Sequence, residues 1–195
     1  MEPIILASTS QRRQEILRSL GIPFTVMVPT YEEPAVETGD PVEVTELNSM
    51  KKVESIIRME LDLSVPWVLG ADTLISQNGR LFGKPSSRTD AEEMIRSFSG
   101  TTHSVVTSIS LFDSKTNFIT SKTSESTVSF IPLSDAEIEE YLDTAEWQGV
   151  AGSYRLQGRA AMFIDRIEGS WSGIVGLPIH SLYGILREHG YRFSV

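Results

Sequence analysis

Residues 67–85 read Trp-Val-Leu-Gly-Ala-Asp-Thr-Leu-Ile-Ser-Gln-Asn-Gly-Arg-Leu-Phe-Gly-Lys-Pro, and this stretch decides the fold class. Trp67 to Ala71 is an apolar run of strand length. Asn78-Gly79 lies between two short apolar segments, LIS and RLF, and signals a tight hairpin, because that pair accepts the positive φ angles of a two-residue turn. An antiparallel pairing is thus expected inside a chain that otherwise alternates strands with helices. That combination predicts an α/β protein with a mixed sheet flanked by helices rather than a purely parallel one.

Working outward, Val65 and Pro66 break a helix expected near Val42 to Leu61, which Asp40 opens as N-cap with Pro41 at the first position. Further upstream, Ile4 to Ala7 reads as a short buried strand. Ile16, Leu17 and Leu20 follow at helical spacing until Gly21, and Phe24 to Val28 reads as a second strand before the polar loop PTYEEPAVETGDP. Downstream, Thr89 with Glu92 and Ser134 with Glu137 read as capping boxes. Strands are expected over Ser104 to Phe112 and Phe118 to Phe130, joined by DSKTN. A glycine-punctuated region, Gly149 to Gly176, holds one expected strand at Met162 to Ile167, and a last helix runs from about Pro178 to Glu188. No internal repeat is visible, and residues 1–195 are expected to form one domain, two-lobed at most.

The absence of cysteine excludes disulfides, thiolate zinc sites and a cysteine nucleophile, leaving carboxylates, hydroxyls, Lys, Arg and His, with or without Mg²⁺ or Mn²⁺. A net charge of −9 opposes binding to a nucleic-acid polymer but leaves room for a small anion in a locally basic cleft. The first apolar run is too short for a signal-peptide core or a membrane span, so a cytoplasmic location is the simplest expectation.

Candidate chemistry falls at several places along the chain. The strand at Ile4 empties into Ser8-Thr9-Ser10-Gln11-Arg12-Arg13, which sets hydroxyls, free N–H groups and two arginines at a helix N-terminus. Positive charge there opposes the helix dipole, so Arg12 and Arg13 make more sense with an anionic ligand than as a solvated first turn. Asp72 is presented at a strand end, where a metal ligand or base is often found, although a lone Asp there is more often a turn residue. Its candidate companions are Glu32, Glu33 and Lys84. Of Lys51 and Lys52 only one can face a given cleft, since neighbours on a helix point about 100° apart. His103 reads as structural rather than catalytic, and Gln157 offers an amide that suits the edge of a base.

In order and wording, ILASTSQRRQEIL, GADTLISQNGRLFGKP, SGTTHSVVTSISL, AGSYRLQGRAAMFIDRIEG and IVGLPI resemble the Maf family of nucleotide pyrophosphatases across nearly the whole chain. One departure is Gln11, where the family usually has proline. The resemblance implies an elongated mixed sheet with two lobes and a central cleft, similar to inosine triphosphate pyrophosphatases. It also implies hydrolysis of a nucleoside triphosphate to the monophosphate and pyrophosphate with a divalent cation, Mg²⁺ or Mn²⁺, and a homodimer. Carried over, Ser8, Arg12, Arg13, Lys51 and Lys84 meet the triphosphate, and Asp72 with Glu32 holds the metal and activates water. Members acting on dTTP and UTP resemble this chain in Arg12 and in Y-x-x-Q-G at Tyr154 to Gly158, whereas 7-methyl-GTP members carry Trp and S-E-G. Neutral thymine or uracil suits the amide of Gln157, while cationic 7-methylguanine favours a carboxylate. The alternatives are a 7-methyl-GTP pyrophosphatase and a non-catalytic nucleotide-binding regulator of septum formation.

Overall fold

The computed structural model describes residues 1–59 and 65–193. Seven strands form one mixed sheet in the order β2-β1-β3-β5-β6-β7, with β4 paired to β3 off this path. The strands are β1 (Ile4–Leu6), β2 (Phe24–Val26), β3 (Trp67–Gln77), β4 (Arg80–Phe82), β5 (Thr102–Asp113), β6 (Phe118–Phe130) and β7 (Ile164–Glu168). β1 runs parallel to β2 and β3, and every other pairing is antiparallel. The hairpin turns at Asn78 and Gly79, whose φ angles are 51° and 80°. Strand β3 is longer than the apolar run, because Asp72 and Thr73 stay in register with Ser108 and Thr107 of β5 and carry it on to the hairpin.

The helices are α1 (Gln11–Ser19), α2 (Pro41–Met59), α3 (Arg88–Phe98), α4 (Asp135–Leu142), α5 (Trp171–Val175) and α6 (Ile179–Glu188). Asp40 caps α2 through its carboxylate, which accepts the Val42 N–H at 2.8 Å. The end of that helix expected at Leu61 falls outside the described residues. Ser134 and Glu137 form the capping box that opens α4. The expected box at Thr89 is not formed: Ser87 caps α3 by accepting from Asp90 N, which puts Thr89 inside the first turn. The strand expected from Met162 begins at Ile164, because Arg159–Phe163 form a 3-10 turn instead. Helix α5 was not anticipated. Among the described residues no helix is long and apolar enough to cross a membrane.

Apolar packing divides into separate cores. One gathers α1, α6 and the first half of β3 around Leu6, Leu17, Trp67 and Leu186. Another gathers α3, α4 and the far half of β3 around Ile75, Phe98, Phe130 and Tyr141. On the opposite face α2 packs onto the sheet through a third apolar core, with Val53 and Ile56 against Ile5, Val68 and Phe112, and through hydroxyls. Thr45 meets Ser108 at 2.7 Å and Ser49 meets Ser110 at 2.8 Å, and these serines bond in turn to Thr123 and Ser121 on β6. The approach is close enough that a Cβ on Gly70 would lie 2.4 Å from Ser49 O.

Candidate active site

Strand β1 stops at Leu6 while its parallel neighbour β3 runs on, which opens a crevice beyond the carboxyl end of β1. Ligands of α/β sheets settle in such crevices. The resulting cleft has a volume of about 500 Å³ and lies between the two main cores. Ser8, Arg12, Arg13, Asp72, Lys84 and Gln157 all line it, so segments distant in the chain share one cavity.

The loop after β1 and the first turn of α1 form one wall. No acidic residue occupies that first turn, and the N-cap Ser10 makes no side-chain capping bond. Ser8 is buried, and its Oγ accepts from Arg13 Nη1 at 3.0 Å. Arg13 also donates from Nε to Gly176 O at 2.8 Å and from Nη2 to Thr73 Oγ1 at 3.3 Å, which fixes its guanidinium across β1, β3 and the end of α5. Burial lowers the Arg13 pKa while Asp72 and Glu33 act to raise it. The Arg12 pKa is likewise lowered, to about 10, chiefly by burial and then by Arg13 and Arg155, with Glu15 acting to raise it.

The floor is a charge cluster built on the buried pair of Lys52 and Asp72, with Glu33 partly exposed. Lys52 donates to Asp72 Oδ1 at 2.7 Å, to Ala71 O at 3.0 Å and to Glu33 Oε1 at 2.6 Å, so all three ammonium protons have acceptors. The other Asp72 oxygen accepts from Asn48 Nδ2 at 2.9 Å, and Asn48 Oδ1 accepts from Tyr31 OH at 2.9 Å. Burial acts to raise the Glu33 pKa, but Lys52, Lys84 and Arg13 outweigh it and hold the carboxyl below its usual value. Lys84 stands 3.7 Å from Glu33 and is largely exposed at the mouth.

Two expected residues fall elsewhere. Lys51 pairs with Glu54 at 2.9 Å, and Lys52 takes the inward position. Glu32 is exposed and does not line the cleft, whereas Glu33 does. Asn48, Tyr31 and Arg155 carried no sequence assignment. Helical phase offered a signal for Lys52, since the buried residues Thr45, Asn48, Ser49 and Lys52 recur at three- and four-residue spacing on one face of α2.

The opposite wall is the segment from Gly149 to Gln157. It is clamped from below: Gly152 N donates to Gly83 O at 2.9 Å, and a Cβ on Gly152 would meet Ile75 Cδ1 at 2.0 Å. Tyr154 is buried with its hydroxyl 2.8 Å from His103 Nε2. Burial pushes the His103 pKa down to about 4, so the ring is neutral and structural. Gln157 sits exposed at the rim.

Among the described residues no three His, Asp or Glu side chains converge as a metal cage. Glu33 and Asp72 nevertheless meet at one point, the Lys52 ammonium. A Mg²⁺-type cation is commonly held by one or two carboxylates plus substrate phosphates, and these residues fit that pattern.

Among proteins of known name, the chain is 42% identical over 201 residues to a dTTP/UTP pyrophosphatase of Treponema denticola, covering 98% of this chain and 99% of that one. It is 39% identical over 191 residues to a protein of the same name from Symbiobacterium thermophilum, covering 98% and 96% respectively. Among solved structures, a HAM1 protein from Coxiella burnetii aligns over 96% of this chain and 100% of that one, with 16% identity and a TM-score of 0.48. Residues 3–189 match the family described as Maf-like protein. With the family match and the near-complete overlap with both relatives, the chain belongs to the Maf-like protein family.

Proposed function

We propose that the protein is a nucleoside triphosphate pyrophosphatase that cleaves dTTP and UTP to the monophosphate and pyrophosphate, with residues 1–195 acting as one unit. The observation that carries this reading is the meeting of two carboxylates, Glu33 and Asp72, with Arg12, Arg13 and Lys84 in one cleft. The names of the two relatives supply the reaction and the bases.

The reaction is attack of water on the α-phosphorus with pyrophosphate leaving, so the protein's tasks are to offset phosphate charge and to orient one water. Arg13, held by Ser8, Thr73 and Gly176, presents fixed positive charge to the phosphates, and Arg12 and Lys84 add charge from the wall and the mouth. Asp72 is oriented by Asn48 and Lys52 and receives the proton of the attacking water. Lys52 has its donors engaged, so it acts by holding Glu33 and Asp72 together. Glu33 and Asp72 would hold a divalent cation with the substrate, and such a cation, when bound, neutralises phosphate charge and lowers the pKa of water. Gln157 at the rim offers its amide to the pyrimidine edge.

Pyrophosphate release from a panel of triphosphates, with Mg²⁺, Mn²⁺ or chelator, tests the reading. UTP and dTTP are expected to lead, and a preference for 7-methyl-GTP would overturn the choice of base. Asp72→Asn is expected to cut turnover at least about a hundredfold and to lower the melting temperature, because it takes the charge of the buried partner from Lys52. Near-normal turnover in that variant would remove Asp72 from the mechanism.

A further inference from the structure

The cations of the cleft are unequally matched. Lys52 is saturated by Glu33, Asp72 and Ala71, Lys84 stands by Glu33, and Arg13 is tied to three protein oxygens. Arg12 and Arg155 form no ion pair among the described residues, although both line the same cavity and Arg155 depresses the Arg12 pKa. Arg155 also keeps its Nε buried without a hydrogen-bond partner, while Nη2 reaches Gln148 O at a long 3.4 Å. A buried donor without a partner is costly and calls for an explanation.

The side chain is not adrift. It follows Tyr154, which is locked to His103, on a segment pinned by Gly152 and by Tyr141 OH donating to Ser153 O at 3.1 Å. It also occupies an open position of the Y-x-x-Q-G pattern, so the resemblance gives it no role. Two unneutralised guanidiniums facing one cavity from a helix start and a pinned loop suit a ligand with more than one phosphate, since bidentate arginine contacts favour such groups.

We propose that Arg155 joins Arg12 in binding the terminal, pyrophosphate half of the substrate and thereby selects triphosphates over monophosphates. This deepens the pyrophosphatase reading and rests on it. The acid cluster at Asp72 then takes the scissile α-phosphate, and the phosphate tail extends between Arg12 on one wall and Arg155 on the other.

Calorimetric titration with inorganic pyrophosphate and with UMP, in EDTA, separates the two halves. Arg155→Gln is expected to weaken pyrophosphate binding about tenfold or more and to leave UMP binding unchanged, as for loss of a charge-assisted contact. Arg155→Lys, which keeps the charge but not the fork, is expected to fall between the variant and the wild type. Unchanged pyrophosphate affinity in Arg155→Gln, equal weakening of both ligands, or failure of the wild type to take up pyrophosphate would each overturn the assignment. UTP turnover reports separately on the reaction: a protein that binds pyrophosphate through Arg155 yet hydrolyses no triphosphate keeps this subsite and loses the enzymatic reading.

Discussion

Lys52 draws three acceptors from two parts of the chain: Glu33 after β2, and Asp72 with the Ala71 carbonyl on β3. Removing one partner of a buried pair strands the other, at a cost of about 3 kcal/mol. Lys52→Met is therefore expected to lower the unfolding free energy by about that amount and to cut turnover at least about a hundredfold, because the two carboxylates are then no longer held together. Lys51→Met, which loses only a surface pair with Glu54, is expected to stay within about twofold of wild type in turnover. Urea denaturation and steady-state rates of the two variants check this, and a reversed order would put Lys51 in the site. Glu33→Gln against Glu32→Gln makes the same comparison for the acids, with only the former expected to fall by about tenfold or more. At this scale the local sequence supplied residue types, and the resemblance picked Lys51 and Glu32 where the structure turns their neighbours Lys52 and Glu33 to the cleft. Which of two adjacent side chains turns inward depends on the phase of α2 against the sheet and on the path of the loop after β2.

Helix α2 carries both Asn48 and Lys52, so its seat on the sheet sets the geometry of Asp72. Small and hydroxyl residues make that seat: Ser49 and Thr45 bond to Ser110 and Ser108, and Gly70 leaves room for the Ser49 carbonyl. Gly70→Ala forces a methyl into backbone rather than into a flexible side chain. An overpacking cost of about 2 kcal/mol is expected, with a drop in kcat/KM because α2 is displaced. A normal melting temperature would show that the helix yields freely. On the other wall, His103 anchors the Tyr154 segment while neutral, with its pKa lowered from 6.5 to about 4 by burial. Above pH 6.5 both folded and unfolded forms are neutral at this ring and its contribution is complete. Between 6.5 and about 4 the unfolded chain binds the proton more readily, so stability falls as pH falls, by about 3 kcal/mol over the window. Urea midpoints at pH 7.5 and pH 5, measured for wild type and His103→Gln, are expected to show a smaller acid loss in the variant. The elements themselves were largely legible: the Asn78-Gly79 hairpin, the Asp40 and Ser134 caps and the apolar strands follow from local rules. The missed pieces were short. Helix α5 has five residues, and its Ser170 cap accepts from Gly173 N within a glycine-rich region where periodicity has little length to register.

The whole molecule carries a net charge of −9, while among the described residues the cleft is lined by the cations Arg12, Arg13, Lys52, Lys84 and Arg155 and by two acids, Glu33 and Asp72. Local attraction must act against the envelope, and mobile ions screen both. Raising ionic strength from about 50 mM to about 500 mM is expected to increase KM for UTP several-fold with kcat changed less. A KM insensitive to salt would mean that these cations do not meet the substrate. The sequence by itself determined the mixed α/β architecture and the types of group available, because strand alternation, turn φ angles and helix caps are settled within a few neighbouring residues. It also placed Ser8, Arg13, Asp72 and Lys84 as candidates whose segments turn out to share one cavity. Only the tertiary structure decided that Lys52 and Glu33 face inward, that Tyr31 and Asn48 brace Asp72, and that Arg155 lines the same cavity as Arg12 from the opposite wall. Those are meetings between segments far apart in the chain, governed by how closely α2 and the Tyr154 segment settle on the sheet, and no local pattern encodes that closeness.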